Sequence, residues 1–351
     1  MQERYTIFSS PKRVYQEMIR DINRAKRFVY LETYIYDRDK VGRDFLGVLT
    51  KKAKEGVEVK LLLDGWGSSA DKRFFRKLIE NGGGVRYFRE MRYFTWMFKK
   101  NHERNHRKLL LIDGRISYVG SMNITASCLE WRELVLRIEG MITYSFRKSF
   151  LHSWNNYGVF GARRLNTIIH KGFEILLDVP AHPRRDTHKK YVELLNRSKK
   201  EISIITPYFV PSRSVISAFS NAVRRGVKVT LVIPKRSDFR VADMLRDIYL
   251  GRLFLSGVNI KCFYPRILHA KLLIVDNNFF LLGSSNVDYR SFLHQYELNL
   301  FGTDEKIIRF LRVYFENTLK FSESFDYEKW ENRSRIEQIL GRLLSKVKRY
   351  F

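Results

Sequence analysis

Cysteine is almost missing from this chain. Only Cys128 and Cys262 occur among 351 residues. They allow one disulfide at most, supply no metal-ligand cluster, and point to a reducing compartment. Long apolar runs are missing too. No stretch approaches the roughly 18 residues that a spanning helix needs, and Met1 to Pro11 lacks the apolar core of a signal peptide. The expectation is a chain that does not cross a membrane, although it can still lie on one. Acidic residues are scarce: 37 Asp+Glu stand against 65 Lys+Arg, a formal net charge of +28. Such a surface is drawn to polyanions, either nucleic acid or an anionic membrane, and charge alone does not choose between them. A hydrophobic share of 44% with 29% charged residues excludes a mainly disordered chain and a small disulfide scaffold. The length suffices for two domains.

The chain repeats itself. Residues 14–36 read as a helix followed by a strand, and so do residues 191–210. Residues 45–68 read as a helix, a break at Gly56 and a strand; residues 215–238 do the same around Gly226, 170 positions later. Residues 106–123, HRKLLLIDGRISYVGSMN, match 269–286, HAKLLIVDNNFFLLGSSN, and WRELVLRI (131–138) matches HQYELNLF (294–301). Four paired segments in one order mark a duplication. Short apolar runs such as Leu109–Ile112 and Leu272–Val275 suit strands covered on both faces. The expected fold is therefore α/β: two similar α/β/α sandwich lobes, over 1–165 and 166–325, related by a pseudo-twofold axis with the active site at their interface. The two-proline stretch Asp178–Asp186 reads as a linker. A basic amphipathic helix over 326–351 closes the chain.

The chemistry sits in the third repeated block. Its pattern is His-x-Lys-x4-Asp-x6-Gly-Ser-x-Asn, carried by His106, Lys108, Asp113, Gly120, Ser121 and Asn123, then by His269, Lys271, Asp276, Gly283, Ser284 and Asn286. On a strand, residues i and i+2 share a face, so each His and Lys project together. An imidazole beside an ammonium makes a phosphate site with a nucleophile or an acid in it. The Ser and Asn after the glycine add neutral donors.

These paired motifs resemble those of the phospholipase D superfamily. The resemblance implies a covalent phosphohistidine intermediate with no metal and no cofactor. One His attacks phosphorus; the other protonates the leaving alkoxide and then deprotonates the incoming alcohol. The lysines and amides stabilise the charged phosphorus. It further implies a carboxylate some 27 residues beyond each His that orients its ring. Glu133 and Glu297 stand 27 and 28 positions on, so each half is expected to supply its own pair. Asp113 and Asp276 complete the motif, with a charge-pairing, structural job ranked below the glutamates. Family resemblance makes His106 the nucleophile and His269 the acid and base.

Within the superfamily, NHERNHRKLLLIDGRISYVGSMNI and LHAKLLIVDNNFFLLGSSNVDYRSFLHQYELN look like the two motifs of bacterial cardiolipin synthases, with Arg290 in the second a candidate substrate contact. LETYIYDRDKVG, LLLDGWGS and PYFVP are similar as well. The resemblance implies transfer between two phosphatidylglycerols, giving cardiolipin and glycerol, by the short branch bound peripherally to the cytoplasmic face of a bacterial membrane. Water or serine as acceptor, and a nuclease of the same superfamily, stay open as alternatives; no nucleic acid partner is expected.

Two surface features bear on the substrate. Residues 86–108 hold eight Lys/Arg against Glu90 and Glu103, interleaved with Tyr87, Phe88, Tyr93, Phe94, Trp96 and Phe98. This suits a lipid entrance at a bilayer boundary, single-stranded nucleic acid stacked on the aromatics, or aromatics folded into the core beside a charged rim; because the stretch runs into His106, a substrate entrance is the expectation. Near the C-terminus Ile336, Ile339, Leu340, Leu343, Leu344 and Val347 form one helical stripe flanked by basic residues. It reads as an interfacial helix or as a helix docked on its domain.

Overall fold

The computed structural model describes residues 3–89, 103–158, 165–180 and 185–346, the side chains of 335–337, 342, 345 and 346 excepted. Each half begins with the helix–strand order read from the repeats. In the first, β1 (Arg4–Phe8), α1 (Pro11–Arg24), β2 (Phe28–Thr33), α2 (Lys40–Lys54), β3 (Glu58–Asp64), α3 (Arg76–Glu80) and β4 (Gly84–Phe88) precede the short β5 (Arg104–Asn105). The motif hairpin β6 (Leu109–Ile112) and β7 (Ile116–Gly120), then β8 (Val135–Glu139) and α4 (Ile142–Asn155), complete it. Local chemistry sets the ends: Pro11 opens α1, and Asp39 caps α2 by accepting from the Gly42 N–H at 3.0 Å. The strands form a mixed sheet in the order β1-β8-β7-β6-β2-β3-β4.

The second half repeats this plan with β9 (Ile168–His170), β10 (Phe173–Asp178), α5 (Asp186–Arg197), β11 (Glu201–Ile205), β12 (Phe209–Val210), α6 (Arg213–Arg224), β13 (Lys228–Pro234), α7 (Arg240–Leu255) and β14 (Asn259–Phe263). The hairpin β15 (Leu272–Val275) and β16 (Phe279–Gly283) follows, then β17 (Val287–Asp288), α8 (Tyr289–His294), β18 (Gln295–Gly302), α9 (Glu305–Leu319), β19 (Ser322–Ser324), α10 (Tyr327–Glu331) and α11 (Arg335–Lys346). Its sheet runs β19-β14-β13-β11-β15-β16-β18-β10-β9.

Strand periodicity builds the layers. In β6, Leu110 and Ile112 face α1 and α2, while Leu109 and Leu111 face a core shared by both halves; in β15, Leu273 and Val275 face outward and Leu272 and Ile274 join that core. Ile142, Phe146, Phe150 and Trp154 of α4 meet Ile307, Leu311 and Phe315 of α9 in the same shared core. The continuous apolar runs were buried on both faces for this reason.

Two expectations need correction. Asp178 does not begin a linker. It ends β10, a buried strand paired along its length with β18, so the chain is inside the second sheet before Asp178. Residues 181–184 of that stretch lie outside the described residues. In the basic aromatic segment, Tyr87 and Phe88 are core residues of β4, and the Tyr87 hydroxyl donates to the Ala70 carbonyl at 2.7 Å. Tyr93, Phe94, Trp96 and Phe98 lie outside the described residues. At the other end, α11 packs on α7 through Gly341, beside Met244 and Ile248. Ile339, Leu340 and Leu343 nonetheless stay exposed. Among the described residues no helix is long and apolar enough to cross a membrane.

Candidate active site

The site begins with where the two motif hairpins end. The N–H of His106 donates to the Tyr296 carbonyl at 2.9 Å, and β5 pairs with the start of β18. In the related position of the other half, the N–H of His269 donates to the Arg132 carbonyl at 2.9 Å, and Arg132 bridges to Leu268. Each histidine is therefore stitched to the segment that carries the other lobe's glutamate.

The consequence corrects the expected pairing. Glu297, not Glu133, holds His106: its Oε1 lies 3.0 Å from His106 Nδ1. Glu133 Oε1 lies 2.8 Å from His269 Nδ1. Both carboxylates are fully buried. Ser121 donates its hydroxyl to Glu133, and Ser284 donates to Glu297. These serines follow Gly120 and Gly283, where a Cβ would sit 2.2 Å from the Leu134 carbonyl oxygen and 2.4 Å from that of Leu298. Only glycine lets the two chains approach this closely. With Nδ1 bonded to a carboxylate, each ring keeps Nε2 for chemistry.

Lys108 and Lys271 bend back on their own motifs, each donating from Nζ to the carbonyl of its histidine at 2.7 Å. Burial lowers Lys108 to about 7, although Glu297 and Glu133 pull it upward. Burial lowers Lys271 to about 8, against the same two carboxylates. Lys271 also lowers Lys108, and both lysines feel both glutamates, so the two motifs meet in one centre.

The imidazoles differ. Burial pushes His106 well below its ordinary pKa, and Lys108, Lys271, His269 and Arg290 push it further. His269 is also lowered by burial, but Glu133 pulls it back up. Glu297 is raised, chiefly by burial. For Glu133 burial raises the pKa, yet His269, Lys271 and the Ser121 hydroxyl together outweigh it and leave the group below its ordinary value. Both rings are thus shifted toward the neutral form, His106 further than His269, whose carboxylate offsets part of the burial.

Asp113 and Asp276 are placed elsewhere, which removes them from the catalytic set. Asp113 accepts from the N–H groups of Lys26, Arg27 and Phe28 at 2.8, 2.7 and 3.0 Å, and Asp276 does the same for Lys199, Lys200 and Glu201 at 2.8, 2.7 and 3.0 Å. Seven residues of extended chain put them roughly 20 Å from the histidines. Their work is to tie the far end of each hairpin to the start of β2 or β11. Asn123 accepts from the Ile35 N–H at 3.2 Å, and Asn286 donates its backbone N–H to Ser291 Oγ at 3.0 Å. Arg290 is half-buried, and its charge reaches His106 and Tyr34.

Further residues complete the site that the motif did not name. Tyr34 packs on His106 with ring centroids 5.2 Å apart, and Trp131 on His269 at 5.1 Å. Gln295, with its amide turned to suit its neighbours, donates to Glu297 Oε1 at 3.0 Å and accepts from Arg290 Nε at 3.2 Å. It lies two residues before Glu297 on a strand, so the period of two could have found it. Below the rings, Asn105 donates to buried Glu32 at 2.8 Å, and Asp64 accepts from the Asn105 N–H at 2.8 Å. Arg107 donates to the carbonyls of Glu297 and Asp178 at 3.2 and 3.3 Å, locking the interface.

Two rings on opposed carboxylates, each beside a buried lysine, form an arrangement suited to nucleophilic displacement at a phosphodiester. The comparisons agree. The family described as "Cardiolipin synthase, PLD-like domain" matches residues 18–154 and 191–319. A cardiolipin synthase of Clostridium perfringens (strain SM101 / Type A) is 32% identical over 93% of this chain and 72% of its own length. The major cardiolipin synthase ClsA of Bacillus subtilis (strain 168) is 31% identical over 95% of this chain and 73% of its own length. In fold, the chain resembles phosphatidylserine synthase from Haemophilus influenzae Rd KW20, with a TM-score of 0.74 at 16% identity over 99% of this chain and 95% of that one. The duplicated motifs, their shared centre and these similarities along nearly the whole of this chain together place it in the cardiolipin synthase family of phospholipase D-like phosphatidyltransferases.

Proposed function

We propose that the chain joins two phosphatidylglycerols into cardiolipin and releases glycerol through a phosphohistidine intermediate. The observation that carries this reading is the cross-braced pair of imidazoles with Lys108 and Lys271 in one buried centre. His106 Nε2 attacks the phosphorus of the first lipid. The bond to the glycerol oxygen breaks, and His269 gives its Nε2 proton to that oxygen. In the second step a hydroxyl of the other phosphatidylglycerol passes its proton to His269, its oxygen bonds to phosphorus, and the P–N bond returns its electron pair to His106. Lys108, Lys271 and Arg290 offset the charge that gathers on the phosphorus oxygens. Glu297 and Glu133 hold the tautomers, Ser121 and Ser284 hold those carboxylates, and the side-chain amide N–H groups of Asn123 and Asn286 are the neutral donors offered to the lipid phosphate.

The chain is read as working on the cytoplasmic face of a bacterial membrane, held there by its +28 charge and the exposed Ile339, Leu340 and Leu343 of α11. The deciding experiment gives purified protein to phosphatidylglycerol vesicles and follows products by mass spectrometry. Cardiolipin and glycerol in equal amounts, lost in His106→Ala, are expected. Phosphatidic acid alone from folded protein would instead show a hydrolase and overturn the transfer reading.

A further inference from the structure

The two halves of the centre share one plan, so positions where equivalent residues differ mark where the symmetry of the chemistry is broken. One such place lies at the carboxyl ends of the parallel strands, where α/β sheets bind ligands. In the first half, Ile35 stands opposite Asn123 and donates its N–H to Asn123 Oδ1 at 3.2 Å. Ser68 closes the same loop, accepting from the Tyr36 N–H at 3.1 Å and donating to the Tyr34 carbonyl at 3.0 Å. Those polar groups are satisfied within the protein.

The second half departs from this. Phe209 pairs with Val287 as Tyr36 pairs with Ile124, so Tyr208 takes the place of Ile35 opposite Asn286. Asp238, 170 positions after Ser68, takes the place of the serine. The Tyr208 hydroxyl donates to Asp238 Oδ1 at 2.7 Å, and Asp238 stays exposed. Asn286 is 4% exposed, and its Oδ1 has no protein partner among the described residues. The charge of Asp238 reaches both His269 and Lys271, so this trio borders the His269 side of the centre. Burial, and then Asp238, hold the Tyr208 phenol far above its ordinary pKa, so it remains a protonated donor.

A carboxylate at the rim of a phosphate site repels phosphate. Its free lone pairs, with the buried amide oxygen, ask instead for a neutral partner that donates hydrogen bonds. We infer that Tyr208, Asp238 and Asn286 form a subsite for the vicinal hydroxyls of a glycerol group, so that the exchanged alcohol leaves and enters on the His269 side. This rests on the transfer reading above and adds to it the recognition of the alcohol.

The test reads a ratio from one intermediate. The full chain, with phosphatidylglycerol vesicles as donor, is offered isotope-labelled glycerol, 1-propanol and L-serine together, so that transfer to glycerol gives labelled phosphatidylglycerol distinct from the donor, and the transfer products are compared. Wild type is expected to favour glycerol over 1-propanol. Asp238→Asn and Tyr208→Phe should each lower that preference about tenfold, the loss of one good hydrogen bond. A role in folding alone would reduce all products together and leave the ratio as it was. An unchanged ratio in both variants overturns the subsite. So does a wild-type preference for serine that Asp238→Asn abolishes, which would mark a cation site. Turnover to phosphatidic acid with no alcohol product from wild type is a distinct outcome: it overturns the transfer reading and the subsite with it.

Discussion

Each motif imidazole takes its carboxylate from the opposite lobe, so a change in one half reaches the ring of the other. This makes a prediction that a same-lobe pairing would not. With a phosphodiester donor bearing an activated leaving group, adduct formation on His106 in a His269→Ala background should fall roughly 100-fold on adding Glu297→Gln. Adding Glu133→Gln should leave it nearly as it was. Equal loss from both, read by intact-protein mass spectrometry, would contradict the cross-lobe brace. The cations set a second expectation. Lys108 and Lys271, lowered to about 7 and about 8, are charged below those values and lose their protons as pH rises through them. The kcat/KM profile, which reports the free enzyme, should therefore decline on the alkaline side over this range. In Lys108→Arg, whose cation does not titrate, any remaining activity should decline at higher pH; an identical profile would dissociate the limb from Lys108.

At the scale of elements, the motif aspartates anchor hairpins. Asp113 and Asp276 each satisfy three backbone N–H groups at the start of a neighbouring strand. Removing either carboxylate strands those donors, at a cost of about 2–4 kcal/mol. Asp113→Ala should lower the melting temperature by several degrees while the folded fraction keeps most of its kcat/KM; a fully folded, inactive variant would return Asp113 to the chemistry. The repeat made these elements legible: Gly56 and Gly226, or Leu109–Ile112 and Leu272–Val275, announce the same helix ends and buried strands twice. Position along a segment was harder to read. Tyr87 and Phe88 belong to an aromatic, basic stretch in the sequence, yet they are buried on opposite faces of β4, because the register of a short strand is set by its neighbours. Asp178–Asp186 carries two prolines like a linker, but pairing with β18 decides that β10 runs through Asp178.

For the whole molecule, duplication explains both what the sequence revealed and what it hid. The family resemblance pointed to Glu133 and Glu297 through a spacing along the chain, but that spacing measures distance within a half, whereas the pseudo-twofold swaps partners between halves. The exchange of Ser68 for Asp238 is legible where the paired segments 45–68 and 215–238 end, but the bond from Tyr208 to Asp238 shows only in the fold. The basic surface leads to a further expectation. Binding to vesicles should need anionic lipid and weaken with salt, at roughly 1 kcal/mol per basic residue near the surface. Leu343→Asp should weaken it at every salt concentration, and sedimentation with vesicles would register either failure. The central claim is that both lobes build one centre that holds the lipid covalently between two half-reactions. Rapid quench of His269→Ala with a donor bearing an activated leaving group, followed by peptide mass spectrometry, tests it most directly. The account predicts a phosphoryl adduct on His106. An adduct found only on His269 in the His106→Ala protein would reverse the two roles, and product release with no adduct on either histidine would contradict the claim.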